Sequence, residues 1–123
     1  LMDELSNGGS VINNTSIQAF QPSETLLDYA STKAAINNIT VNLAAELGPL
    51  RIRVNAVAPG PIWTPLQPAT KPAESMPSFG ADTPLGRAGQ LVEVAPAFVF
   101  LATDDASYVS GTVLGVTGGK PVF

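Results

Sequence analysis

The chain has 123 residues, a net charge of −4 and six Lys and Arg; 45% of its residues are hydrophobic and 13% charged. That supplies one small domain with a core, and it excludes a disordered tail or a basic nucleic-acid surface. Histidine and cysteine are both absent. His-based triads, His or Cys metal sites, thiolate nucleophiles and disulfides are therefore excluded, no metal site is expected, and acid–base chemistry falls to Tyr, Lys, Asp and Glu.

Along the chain, GGSVINNTS (8–16) reads as a glycine turn and a short strand over Ser10–Asn14, followed by a polar loop over 17–25. From Leu26 to Leu47 the alanines with Ile36, Ile39, Leu43 and Leu47 recur at helical steps. Gly48 is placed as the C-cap, and Pro49 cannot continue the helix. The apolar, β-branched run through Ile52, Val54, Ala56 and Val57 predicts a buried strand ending at Pro59 and Gly60. Seven prolines between 59 and 84 then argue against regular structure. Ordered connections of that length are often functional lids. A second helix is expected over Leu91–Leu101, with Pro96 either in its first turn or bending it. A third short strand is expected over 112–119, with Gly118 and Gly119 as a backbone turn near it. The order β-α-β-loop-α-β predicts an α/β fold, a parallel sheet with right-handed crossovers.

No apolar run reaches the length of a membrane span, and no secretory pattern is seen, so a cytoplasmic protein is expected. Three Asn-x-Ser/Thr triplets, at Asn13, Asn14 and Asn38, are read as chance matches. The chain opens at Leu1 and soon enters a buried-looking strand, as a piece of something longer would. A three-stranded parallel sheet is thin and leaves an edge.

The stretch DYASTK places Tyr29 and Lys33 at i and i+4 near the start of the first helix, on one face. An ammonium beside a phenol favours the phenolate, and such a phenol can pass a proton to or from an alcohol or carbonyl oxygen. An isolated pair of this spacing is common. Its context is not, because Ser16 stands 13 residues earlier at the carboxyl end of the first strand, and Pro59, Gly60 and Thr64 leave the carboxyl end of the second. In open α/β sheets, sites form beyond those ends.

NTSI, DYASTKAAINNITVNLAAELGPLRIRVNAVAPGPIWTP and PLGRAGQLVEVAPAFVFLATDDASYVSGTVLGVTGG together resemble the short-chain dehydrogenase/reductase family from about Gly8 onward. The subgroup most similar is that of bacterial general aldehyde or ketone reductases. The glycine-rich dinucleotide turn, the Asn-Asn-Ala-Gly segment and the catalytic asparagine of that family do not occur here. The resemblance is thus to the C-terminal half of a Rossmann-like, doubly wound parallel sheet, about three strands with flanking helices, and residues 1–123 are expected to form one partial domain without the N-terminal dinucleotide-binding half. Arg51 stands where members usually carry glycine, an extra charge at a strand start.

The resemblance implies an oxidoreductase interconverting a carbonyl and an alcohol with NADP or NAD, with hydride passing to or from the nicotinamide. Ser16 would steady the substrate oxygen, Tyr29 would exchange the proton, and Lys33 would favour the phenolate and hold the ribose hydroxyls. Pro59 and Gly60 would lie near the nicotinamide. The backbone of Ile62 would hold the carboxamide, and Thr64 would approach the carboxamide or diphosphate. Residues 65–82 would form a substrate lid, with Trp63 and Phe79 as pocket walls and Arg87 bonding backbone to anchor it. Asp104 and Asp105 suit a helix end. Homodimers or homotetramers built on the long helix are implied; neither nucleic acid nor membrane is an expected partner. The alternative is a catalytically inactive half-domain that completes its sheet by self-association or with a missing N-terminal segment.

Overall fold

A computed structural model describes residues 8–21, 26–64 and 78–123. Three parallel strands form its sheet: β1 (Ser10–Asn14), β2 (Arg53–Pro59) and β3 (Val113–Val116), in the order β1-β2-β3. Two helices accompany them, α1 (Leu27–Leu47) and α2 (Leu91–Ala102). The register pairs Ile12 with Asn55 and Val57 with Leu114. β2 is the central strand, and every residue from Val54 to Ala58 is buried, as a strand covered on both faces requires.

Side chains alternate between the two faces of a strand. On one face Asn13 Nδ2 donates to Thr40 Oγ1 at 3.0 Å and Thr15 Oγ1 to the Lys33 carbonyl at 3.0 Å, so α1 lies there. On the other, Ser10 Oγ and Arg53 Nη1 each donate to the Leu101 carbonyl at 2.9 Å, so α2 lies there. Val57, Val94, Leu101 and Ala106 make the core of this second face, with Ile12, Phe98, Leu114 and Val116 packed around them. Leu101 is fully buried, and cutting it to alanine costs about 2–5 kcal/mol.

This arrangement corrects the expected handedness. Both crossovers step the same way across the sheet, yet their helices lie on opposite faces, so the two connections have opposite hands. One of them departs from the right-handed rule, which rests on a strand feeding directly into a helix that packs back onto the sheet. The connection over 60–90 is long enough to carry the chain around to the second face.

Local departures have equally local causes. Residues 17–19 are a 3-10 turn with Ile17 buried, rather than part of a polar loop, because Ser16 Oγ accepts the Gln18 amide at 3.1 Å and caps it. Gly48 is the C-cap of α1, as expected, but in the right-handed region at φ −54°, and the chain continues as a 3-10 turn over Gly48–Leu50. The left-handed residue is Arg51, at φ 61°. Pro96 sits inside α2, beyond its first turn. Pro96 has no N–H to give the Val92 carbonyl, and both residues are exposed. β3 ends at Val116, short of the expected 119, because Gly118 and Gly119 take positive φ and turn the chain. Asp104 and Asp105 open a short 3-10 turn after α2.

Candidate active site

Because the strands are parallel, their carboxyl ends share one edge. Asn14 and Thr15 leave β1 there, and the Thr15 amide donates to the Val57 carbonyl at 2.9 Å, continuing the pairing with β2 past the end of β1. Ser16 follows, 7% exposed. Its oxygen accepts the Gln18 amide, which leaves the hydroxyl hydrogen available to donate.

The N-terminal part of α1 is held against this edge by two reciprocal contacts. Lys33 Nζ donates to the Asn14 carbonyl at 3.2 Å, while the Thr15 hydroxyl donates to the carbonyl of Lys33. The Lys33 ammonium also lies 5.4 Å from the centre of the Tyr29 ring, within cation–π range. Tyr29 is 46% exposed, so its phenol is open to a ligand. The structure therefore brings the Tyr29–Lys33 pair to the strand end that carries Ser16. Thr15 and Asn14, which fix Lys33 there, were not singled out by sequence reasoning. The only signal is a hydroxyl residue immediately before Ser16 in NTSI.

The second strand contributes Pro59, paired with Val116, and Gly60, whose amide donates to the Val116 carbonyl at 2.9 Å. A Cβ on Gly60 would stand 2.9 Å from Thr117 Cα, so the close approach to the end of β3 demands glycine at this position. Ile62 is buried and forms a parallel bridge with Gly89. The bridging bonds are made by the Gly89 amide to the Pro61 carbonyl and by the Trp63 amide to the Gly89 carbonyl, both at 2.9 Å. In that pattern Ile62's own N–H and C=O point away from Gly89. Thr64 is half-buried at the end of this described stretch.

Of the expected lid over 65–82, residues 65–77 lie outside the described residues. Residues 78–82 are tied down: Phe79 meets Trp63 edge-on with ring centres 4.8 Å apart, Thr83 Oγ1 donates to the Gly80 and Arg87 carbonyls, and Asp82 pairs with Lys120 at 2.6 Å. The Lys120 ammonium holds the exposed Asp82 carboxyl below its usual range. Arg87 does bond backbone, the Ala88 carbonyl at 3.2 Å, but its main partner is Glu93, gripped through both guanidinium nitrogens at 2.9 Å. Glu93 also accepts the Gln90 amide at 2.9 Å, at the start of α2. The Arg87 hydrogen bonds, and then that amide, hold the Glu93 carboxyl down to about 2.

Among the described residues no helix is long and apolar enough to cross a membrane. A family model described as enoyl-(acyl carrier protein) reductase matches residues 1–120. The glucose and ribitol dehydrogenase homolog of Oryza sativa is 58% identical over 91% of this chain and 37% of its own length. The NADPH-dependent aldehyde reductase 1, chloroplastic, of Arabidopsis thaliana is 48% identical over 98% of this chain and 42% of its own. A crystal structure of 3-oxoacyl-[acyl-carrier protein] reductase from Brucella melitensis superposes with a TM-score of 0.81 at 40% identity, over 90% of this chain and 41% of that one. The chain thus spans about two fifths of the length of the curated relatives it matches.

Proposed function

This chain belongs to the short-chain dehydrogenase/reductase family, and from that premise we propose that it carries the proton-transfer site of an NAD(P)(H)-dependent oxidoreductase interconverting an aldehyde or ketone and an alcohol. The observation that carries this reading is the Tyr29–Lys33 pair held against the end of β1 beside Ser16.

In the direction of reduction, the Tyr29 hydroxyl gives its proton to the substrate oxygen; in oxidation the phenolate takes it back. Ser16 donates its remaining hydrogen to the same oxygen and fixes its position. The Lys33 ammonium has three donors, one of them spent on the Asn14 carbonyl. The other two suit ribose hydroxyls. A nicotinamide cofactor fits the rest of this edge: Ile62 has a backbone donor and acceptor directed away from its bridge, matching a carboxamide, with Pro59 and Gly60 beside it and Thr64 next along the chain. When bound, that cofactor supplies or accepts the hydride. Relatives named as an NADPH-dependent aldehyde reductase and a 3-oxoacyl-[acyl-carrier protein] reductase support a carbonyl substrate. Leu27, Ile39 and Val41 are exposed along α1, which supports association of copies through this helix.

The test uses a protein of the relatives' full length that contains these residues, assayed with NADPH or NADH and a simple aldehyde. Turnover is expected, and Tyr29→Phe abolishes it while cofactor binding, read by fluorescence, persists. Turnover retained in Tyr29→Phe refutes the proton-transfer role.

A further inference from the structure

We propose that Thr15 is a positioning residue for this chemistry: its hydroxyl sets where Lys33, and with it Tyr29, stands relative to Ser16. The inference rests on the reading of the site given above.

Tyr29 and Lys33 occupy the first two turns of α1, the part of a helix least able to hold itself. Its first four amides have no intrahelical partner, and fraying starts there. In this helix the N-cap is Leu26, whose side chain makes no capping bond. A Ser, Thr, Asp or Asn cap would ordinarily secure such an end. Among the described residues, the polar ties of this end run to the end of β1 and the residue after it. Thr15 is 2% exposed; its amide is bonded to Val57 of β2 and its hydroxyl to the Lys33 carbonyl at 3.0 Å. One residue thus joins two strands and the backbone of the lysine, immediately before Ser16. The reverse contact, Lys33 Nζ to Asn14, runs through a flexible side chain and cannot fix the backbone by itself. Seven residues farther along, Thr40 and Asn13 make a second tether between α1 and β1 at 3.0 Å. It holds the same helix to the same strand two turns beyond the pair, and so provides an internal control.

The experiment compares Thr15→Val, Thr15→Ser and Thr40→Val in the full-length protein, reading kcat and KM for aldehyde reduction alongside the thermal midpoint. Thr15→Val is expected to lower kcat at least fivefold, with KM for the aldehyde within twofold. Thr15→Ser, which keeps the donor, restores kcat to within twofold. Thr40→Val lowers the midpoint but leaves kcat within twofold. Should Thr15→Val not accumulate folded, Thr15→Cys, similar in shape with a weaker donor, is read by the same criteria. A kcat within twofold of the parent in the Thr15 variant overturns the inference, as does an equal loss in Thr40→Val, which would mark general loosening of the helix. Tyr29→Phe separates the two levels. If it is inactive while Thr15→Val is fully active, only the positioning role falls; if it retains turnover, the functional reading falls and this inference with it.

Discussion

Asn55 Oδ1 accepts the Thr112 amide at 3.1 Å, and its Nδ2 donates to the Val109 carbonyl at 2.9 Å. One fully buried carboxamide on β2 thereby fastens the turn that leads into β3, across more than fifty residues of sequence. Replacing it with leucine keeps the volume but strips the partners: the part-buried Thr112 amide loses its acceptor and the Val109 carbonyl keeps only Arg53 Nη1 at 3.5 Å, at a cost of about 1–3 kcal/mol. Asn55→Leu is expected to lower the denaturant midpoint accordingly, with the unfolding slope unchanged. A loss below 1 kcal/mol would mean that water reaches the turn.

The Arg87–Glu93 pair predicts a pH dependence. The Glu93 carboxyl falls from an ordinary 4.5 to about 2 on folding. A depressed pKa means that its contribution is fully present above the unfolded value and disappears as pH falls through the folded one. The stability difference between the parent and Glu93→Gln should therefore be constant from neutral pH to about 5 and shrink between about 4.5 and 2. Both side chains are substantially exposed, so the difference is small and weakens with added salt. Melting curves across pH at low and high salt check both statements.

Arg51 predicts a gain. Its φ of 61° is one that an L residue adopts reluctantly and glycine freely. Arg51→Gly relieves that strain but adds freedom to the unfolded chain, so the net stabilisation expected is about 0.5–1 kcal/mol. Chemical denaturation measures it. A destabilised variant would show that the side chain contributes more than the strain costs.

Much of the fold was legible because its signals are local. Helical spacing and the Gly48–Pro49 break place α1 to within a residue of Leu27–Leu47, and α2 emerges at Leu91–Ala102 despite Pro96. That the Tyr29–Lys33 pair comes to the strand end carrying Ser16 was readable from their spacing along the chain. What escaped depends on distant partners. The faces taken by α1 and α2 are settled by contacts such as Asn13–Thr40 and Ser10–Leu101, which no local pattern encodes. Arg51 was read as a charge at a strand start, and it is exposed, but its backbone conformation is set by the turn that delivers the chain to β2. Thr15 escaped for a similar reason: its partner is eighteen residues away, and a threonine after a strand has many ordinary uses.

The bridge between Ile62 and Gly89 bears on how this part of the chain can evolve. It closes the long connection close to its two ends, and Trp63, edge-on to Phe79, closes it again just inside. With the ends fixed by the folded body, the entropy of closure grows only logarithmically with what lies between, about 0.6 kcal/mol for each doubling. The two anchoring contacts therefore hold the ends of the connection independently of its length. A change in the length of the connection thus leaves the bridge, the ring contact and the strand ends beside them in place.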